Sequence, residues 1–120
     1  MGDLVEKYIE LIVAMNDIDY GSKICVAKNN SNANKIRKIA TDIDMKYPEL
    51  KEKFFLLINH NKNEIKLYAA HHILEVMNYD RYKQEKALEV IKQKAKEDSV
   101  DGLGNRMWLE QWQQKLNKMR

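Results

Sequence analysis

The side chains with reactive potential in this 120-residue chain are three histidines, one cysteine and two close pairs of aspartates. His60, His71 and His72 fall within residues 60–74, HNKNEIKLYAAHHIL. Successive residues on a helix project about 100° apart, so His71 and His72 cannot both face one metal. Two histidines one turn apart, as in HExxH, are absent, and a zinc site would need His60 to fold back beside carboxylates. Glu75 stands at i+4 from His71 and i+3 from His72. The pattern predicts a histidine at the edge of a packed helix face, bonded to Glu75 or to a neighbouring helix. On that reading, replacing both histidines by Gln has only a modest stability cost. Cys25, between Ile24 and Val26, reads as a small buried hydrophobe, and a lone cysteine fits a reducing cytosol. Asp17/Asp19 and Asp42/Asp44 are i,i+2 pairs that point to different sides of a helix, which does not make an acid–base pair. GLG (102–104) lacks the GxGxxG spacing of a phosphate-cradling loop. No metal and no cofactor are expected, and the chain is not read as an enzyme.

The elements that must carry these residues are helices. One Pro and four Gly punctuate the chain, and apolar residues recur at three and four rather than at two. Asp3 with Glu6 has capping-box spacing and predicts a first helix with the stripe Leu4, Tyr8, Leu11, Ile12 and Met15, ending or kinking before Gly21. A second stretch, or a continuation, carries Ile24, Cys25 and Ala27. The polar run NNSN (29–32) predicts a break, because short polar side chains compete with the helical backbone. Ser31 or Asn32 then caps a helix that buries Ala33, Ile36, Ile39, Ala40 and Ile43. That helix stops near Tyr47, since a residue before proline avoids the α region, and Pro48 opens the next. Leu50, Phe54, Leu57 and Ile58 face inward there. NHNKN (59–63) reads as a turn with Asn caps on both sides, followed by a helix to about Met77. Asp80 caps another helix through Lys96 that buries Ala87, Leu88, Ile91 and Ala95. KEDSVDGLGN (96–105) reads as a loop, and a last helix carries Leu103, Met107, Trp108, Trp112 and Leu116. The expected core includes Leu11, Ile12, Ile39, Ile43, Phe54, Leu57, Ile73, Leu88, Ile91 and Trp112. Trp108 and Trp112 share a face at i,i+4 and are expected in the core.

Charge is asymmetric. The net charge is +3. Residues 1–22 hold one Lys against five Asp/Glu, whereas residues 79–96 hold six Lys/Arg against three. No apolar run approaches the roughly 18 residues of a membrane span, and the N-terminus lacks a signal peptide's basic start. The reading is one domain over residues 1–120, cytoplasmic, away from the membrane, with a monomer as the favoured state.

The stretch FFLLINHNKNEIKLYAAHHILEVM (54–77) reads as helix, tight polar turn, helix. It resembles a HEAT repeat, in which a V-R-x-x-A-A-x-x-L segment follows the turn. The matching residues are Ile65, Lys66, Ala69, Ala70 and Leu74, slightly offset and with Lys where the family usually has Arg. Residues 80–116 look like a second, degenerate pair. The resemblance implies an all-α, HEAT/armadillo-like α-α superhelix of about six helices. Over its whole length the chain is also similar to a family of small bacterial HEAT-like domains. The similarity lies in LVEKYIEL, NANKIRKI, the HNKNEIKLYAA unit and a Gly-containing loop before W-x-x-x-W (Trp108, Trp112). Several members are immunity proteins of contact-dependent growth-inhibition or polymorphic toxin systems. That resemblance implies binding to a cognate toxin domain, often a nuclease, and a block of its active site. An inhibitor of a basic cleft offers carboxylates in place of phosphates, and the candidate contacts are Asp17, Asp19, Tyr20, Asp42 and Asp44. The alternatives are a nucleic-acid-binding HEAT-like domain, or a general protein-interaction scaffold. Lys62, Lys66, Lys83, Lys86, Lys92, Lys94 and Lys96 support the former. Glu85, Glu89 and the scarcity of Arg weigh against nucleic acid.

Overall fold

Helix α1 (Leu4–Asn16) begins where the capping residues predict: Asp3 Oδ1 accepts the Glu6 N–H at 3.0 Å. The same carboxylate reaches the middle of the chain through Oδ2, 2.6 Å from Lys53 Nζ. In this computed structural model residues 3–16 and 23–118 are described, with side-chain surroundings for 3–15, 31–99 and 102–115. The remaining helices are α2 (Lys23–Lys46), α3 (Lys51–Phe55), α4 (Asn63–Glu75), α5 (Arg81–Ala95) and α6 (Val100–Lys118). Six α-helices and no strand occur among the described residues, so the all-α expectation holds. Helices adjacent in the chain pack on each other, α1 with α2, α4 with α5 and α5 with α6.

The predicted break at NNSN does not occur. Helix α2 runs through residues 29–32, Asn32 is buried, and neither Ser31 nor Asn32 starts a helix. Asn and Ser cost only a few tenths of a kcal/mol each in a helix interior. The packing of α2 on α1, with Ile36, Ile39, Ala40 and Ile43 buried, outweighs that. The stop before Pro48 is as expected, with Tyr47 at φ −130°, ψ 60°. Beyond it, residues 48–59 are not one α-helix. A 3-10 turn (Pro48–Leu50), the short α3 and a second 3-10 turn (Leu56–Asn59) follow in series. The tightened turns still bring Phe54, Leu57 and Ile58 into the core.

The Asn caps predicted around NHNKN are absent too. Lys62 occupies the N-cap of α4 with extended backbone and no side-chain cap bond. His60 serves the turn instead, its Nδ1 accepting the Lys62 N–H at 3.0 Å. Helix α5 is capped as expected, Asp80 Oδ1 accepting the Lys83 N–H at 2.9 Å. The predicted loop 96–105 is half helix. Ser99 Oγ accepts the Gly102 N–H at 3.0 Å and α6 starts at Val100. A Cβ at Gly102 would collide with the Glu97 carbonyl oxygen, so this glycine permits a close approach of α6 to the end of α5.

The core joins α1, α2, the 48–59 segment, α4 and α5. Of its predicted members, Ile12, Ile39, Ile43, Phe54, Leu57, Ile73 and Ile91 are buried. Leu11, Leu88 and Trp112 are half-buried against it. On α6 the register differs from the prediction. Gly102 and Asn105 are buried, while Leu103 and Met107 are 51% and 53% exposed. Trp108 and Trp112 were expected in the core, but the close approach at Gly102 turns a different face inward and leaves both half-buried. Leu116, Cys25 and the chain around Gly21 lie outside the side chains or residues described.

Candidate protein-binding face

The two adjacent histidines separate as helical geometry requires. His72 turns inward, 6% exposed, and its Nδ1 lies 2.7 Å from the Tyr8 hydroxyl of α1. The Tyr8 ring meets Phe54 edge-on at 4.8 Å, and Tyr8 is fully buried. Burial brings the His72 pKa down to about 4 and pushes the Tyr8 phenol well above its ordinary value. Both groups are therefore neutral near pH 7, and a single proton joins them. His71 occupies the packed edge that the pattern predicts. Its Nε2 lies 2.8 Å from Asn105 Oδ1, and its ring stands edge-on to Trp108 at 4.6 Å. Burial lowers its pKa as well. Both partners come from neighbouring helices, and neither histidine hydrogen-bonds to Glu75.

Glu75 serves another purpose. Its Oε1 accepts the Trp108 indole N–H at 2.7 Å, and its Oε2 pairs with Arg37 at 3.3 Å. Three helices thus meet at one carboxylate: α2 through Arg37, α4 through Glu75, α6 through Trp108. Trp112 stacks on Trp108 with centroids 5.2 Å apart and planes 10° from parallel. Lys115 Nζ lies 5.9 Å from the Trp112 ring. A cavity of about 190 Å³ opens here between Glu75, Trp108, Gln111, Trp112 and Lys115. The two indoles are half-buried rather than core, held in orientation from behind and open in front. A rigid aromatic pair beside an Arg–carboxylate contact is the composition of a binding hot spot.

The predicted acidic contacts are not gathered at this face. Asp17, Asp19 and Tyr20 lie outside the described residues. Asp44 is engaged within the chain: its Oδ1 accepts the Asn78 N–H at 2.8 Å and pairs with Lys51 Nζ at 2.8 Å. Lys51 also donates to the Asn78 carbonyl and lies over the Tyr79 ring, whose hydroxyl donates to the Lys51 carbonyl. Asp44 thereby joins the end of α2 to the turn before α5. Among the described residues Asp42 makes only a long 3.9 Å contact with Lys46, one turn on in the same helix. The i,i+4 spacing of the tryptophans was visible in the sequence. The Trp108 partner Glu75, 33 residues away, and the Arg37 that pairs with Glu75, 71 residues from Trp108, carried no local signal of that meeting.

A second opening, a groove of about 550 Å³, lies between α4 and α5, with the first turns of α4 beside the last turns of α5. Among the described residues no three His, Cys, Asp or Glu side chains converge to hold a metal, and no helix is long and apolar enough to cross a membrane. Comparison with family models, curated proteins and solved structures finds no match.

Proposed function

We propose that the chain is a non-catalytic, HEAT-like binding protein whose partner is another protein. In its specific form it is an immunity protein that docks on a cognate bacterial toxin domain in the producing cell's cytoplasm and blocks its active site. The observation that carries the binding reading is the stacked Trp108–Trp112 pair, braced by Glu75 and Arg37 and open on its outer side. Such side chains lose little conformational entropy when a partner covers them, because packing already orients them. The toxin role rests on the resemblance of LVEKYIEL, NANKIRKI, HNKNEIKLYAA and W-x-x-x-W to the immunity family. Within that role Asp42 is the predicted carboxylate contact that is described and has no short-range partner, whereas Asp44 already has two.

The test is co-expression with the C-terminal domain encoded by the reading frame just upstream. Growth arrest relieved by this protein, with a complex on a sizing column, supports the role. Loss of both in Trp112→Ala locates the contact. No toxicity and no complex removes the toxin role. Nucleic acid is the second reading, favoured by the six cations within residues 79–96. Against it, Lys83 is turned to Glu52 at 2.8 Å and to the rings of Phe55 and Tyr79, so the cations do not line one phosphate track. Absence of salt-sensitive duplex binding at low ionic strength eliminates that reading.

A further inference from the structure

The α4–α5 groove lies at the other end of α4 from the tryptophans, and its lining is amphipathic. Its floor is Ile58, Leu67 and Val90, the last two half-buried against the core. Its rim carries Lys66 from α4 and Lys86 and Lys94 from α5. Glu89 and Glu97 also line it, but each belongs to an i,i+3 contact on its own side of the groove, Lys86–Glu89 at 3.9 Å and Lys94–Glu97 at 2.9 Å. Exposed pairs of this kind contribute about 0.5 kcal/mol or less and exchange readily for an incoming carboxylate. Lys66 has no ion pair among the described residues. The groove lining itself holds three Lys against two Glu, which leaves it positive by one charge.

We propose that this groove receives an acidic amphipathic helix of a protein partner, with its apolar stripe on Leu67 and Val90 and its carboxylates on Lys66, Lys86 and Lys94. Charge complementarity selects the acidic flanks, and the apolar floor selects a peptide over a phosphate backbone. A nucleic acid has no use for a floor of aliphatic side chains. A groove of this size admits side chains from a few helical turns, in the manner of helix-in-groove recognition. The proposal does not rest on the toxin role. It concerns a different face from the tryptophans, and either can fail without the other.

The probe is a synthetic peptide of about four helical turns, Leu at i,i+4 spacing with Glu on both flanks, titrated into the full isotope-labelled chain by NMR. The expected result is saturable shifts at the amides of Lys66, Leu67, Val90 and Lys94. The paired reversal Lys66→Glu with Lys86→Glu, at exposed or half-exposed sites, should melt like wild type and weaken binding at least tenfold. A peptide of the same composition with its Leu order scrambled should also bind at least tenfold more weakly. Trp112→Ala should leave the titration unchanged. The proposal is overturned by no shift at about 1 mM peptide, by shifts centred on α6 or α1, or by undiminished binding of the charge-reversed chain. Equal binding of the scrambled peptide, or displacement of the peptide by a short DNA duplex at equal charge, overturns it as well.

Discussion

Helix α4 has two seams, and consecutive histidines hold them. On the α1 side His72 meets Tyr8 in a buried setting, packed by Phe54 and the buried aliphatic core. On the α6 side His71 meets Asn105 and Trp108, and the packing thins outward into Glu75, Arg37 and Trp112. The chemistry is similar in kind, an imidazole bonded to a polar side chain and flanked by an aromatic ring. The surroundings decide what each does. Inside, an imidazole–phenol bond satisfies two buried polar groups and ties the first helix to the middle of the chain. Outside, the same kind of contact orients indole rings that solvent still reaches, which leaves a shaped surface. A seam closes the core when both sides bring apolar bulk. It becomes a face when one side brings Gly102 and Asn105 and turns Leu103 and Met107 to solvent.

The comparison is broken most severely from the inner side. Tyr8→Ala removes a fully buried ring and leaves His72 without its partner, an expected cost of about 4 kcal/mol in urea unfolding. Acidification acts on the same seam. The His72 pKa is about 4 when folded and returns to its ordinary 6.5 when unfolded. Between those values the unfolded state binds more protons, so stability falls as pH drops through the window. The expected loss from pH 7 to pH 4 is on the order of 3 kcal/mol. Thermal melts across that range in wild type and His72→Gln measure it. The variant, destabilised at pH 7, should show a flatter profile. A variant as steep as wild type would assign the dependence to other groups.

Smaller effects sharpen the outer seam. Gly102→Ala forces α6 away from the Glu97 carbonyl and should cost about 1–3 kcal/mol. Tyr8→Phe isolates the inner hydrogen bond from the ring packing, with an expected loss of about 1–2 kcal/mol. Trp112→Ala should change stability least, by about 1 kcal/mol or less, because its ring is only half-buried. Its effect should appear in the partner complex instead. A fall of several kcal/mol in stability would make the tryptophan pair a core element rather than a binding face.

What was legible in the chain depended on range. The cap at Asp3, the stop before Pro48, the Asp80 cap and the stripes of α1 and α5 rest on contacts within a turn or two. All appear in the structure. The same local logic failed at NNSN, where the packing of α2 on α1 further along outweighs weak intrinsic preferences. It failed again at GLG, where glycine serves a close helix–helix approach rather than a loop. The double replacement of the histidines by Gln, expected from the sequence to be mild, now involves a buried hydrogen bond at His72. The edge assignment suits His71 alone.

The candidate site divides in the same way. The sequence by itself determined an all-helical chain, the separation of His71 from His72, and the shared face of Trp108 and Trp112, because helical periodicity sets which side chains share a face. Only the tertiary structure decided which of those faces would be buried. Arg37, Glu75 and Trp108 come from three helices, and Asp44 is drawn into a joint with Lys51 and Asn78. Such contacts depend on how close separate helices approach, which small residues such as Gly102 and the volumes packed behind them set. Periodicity along one helix carries no record of that distance.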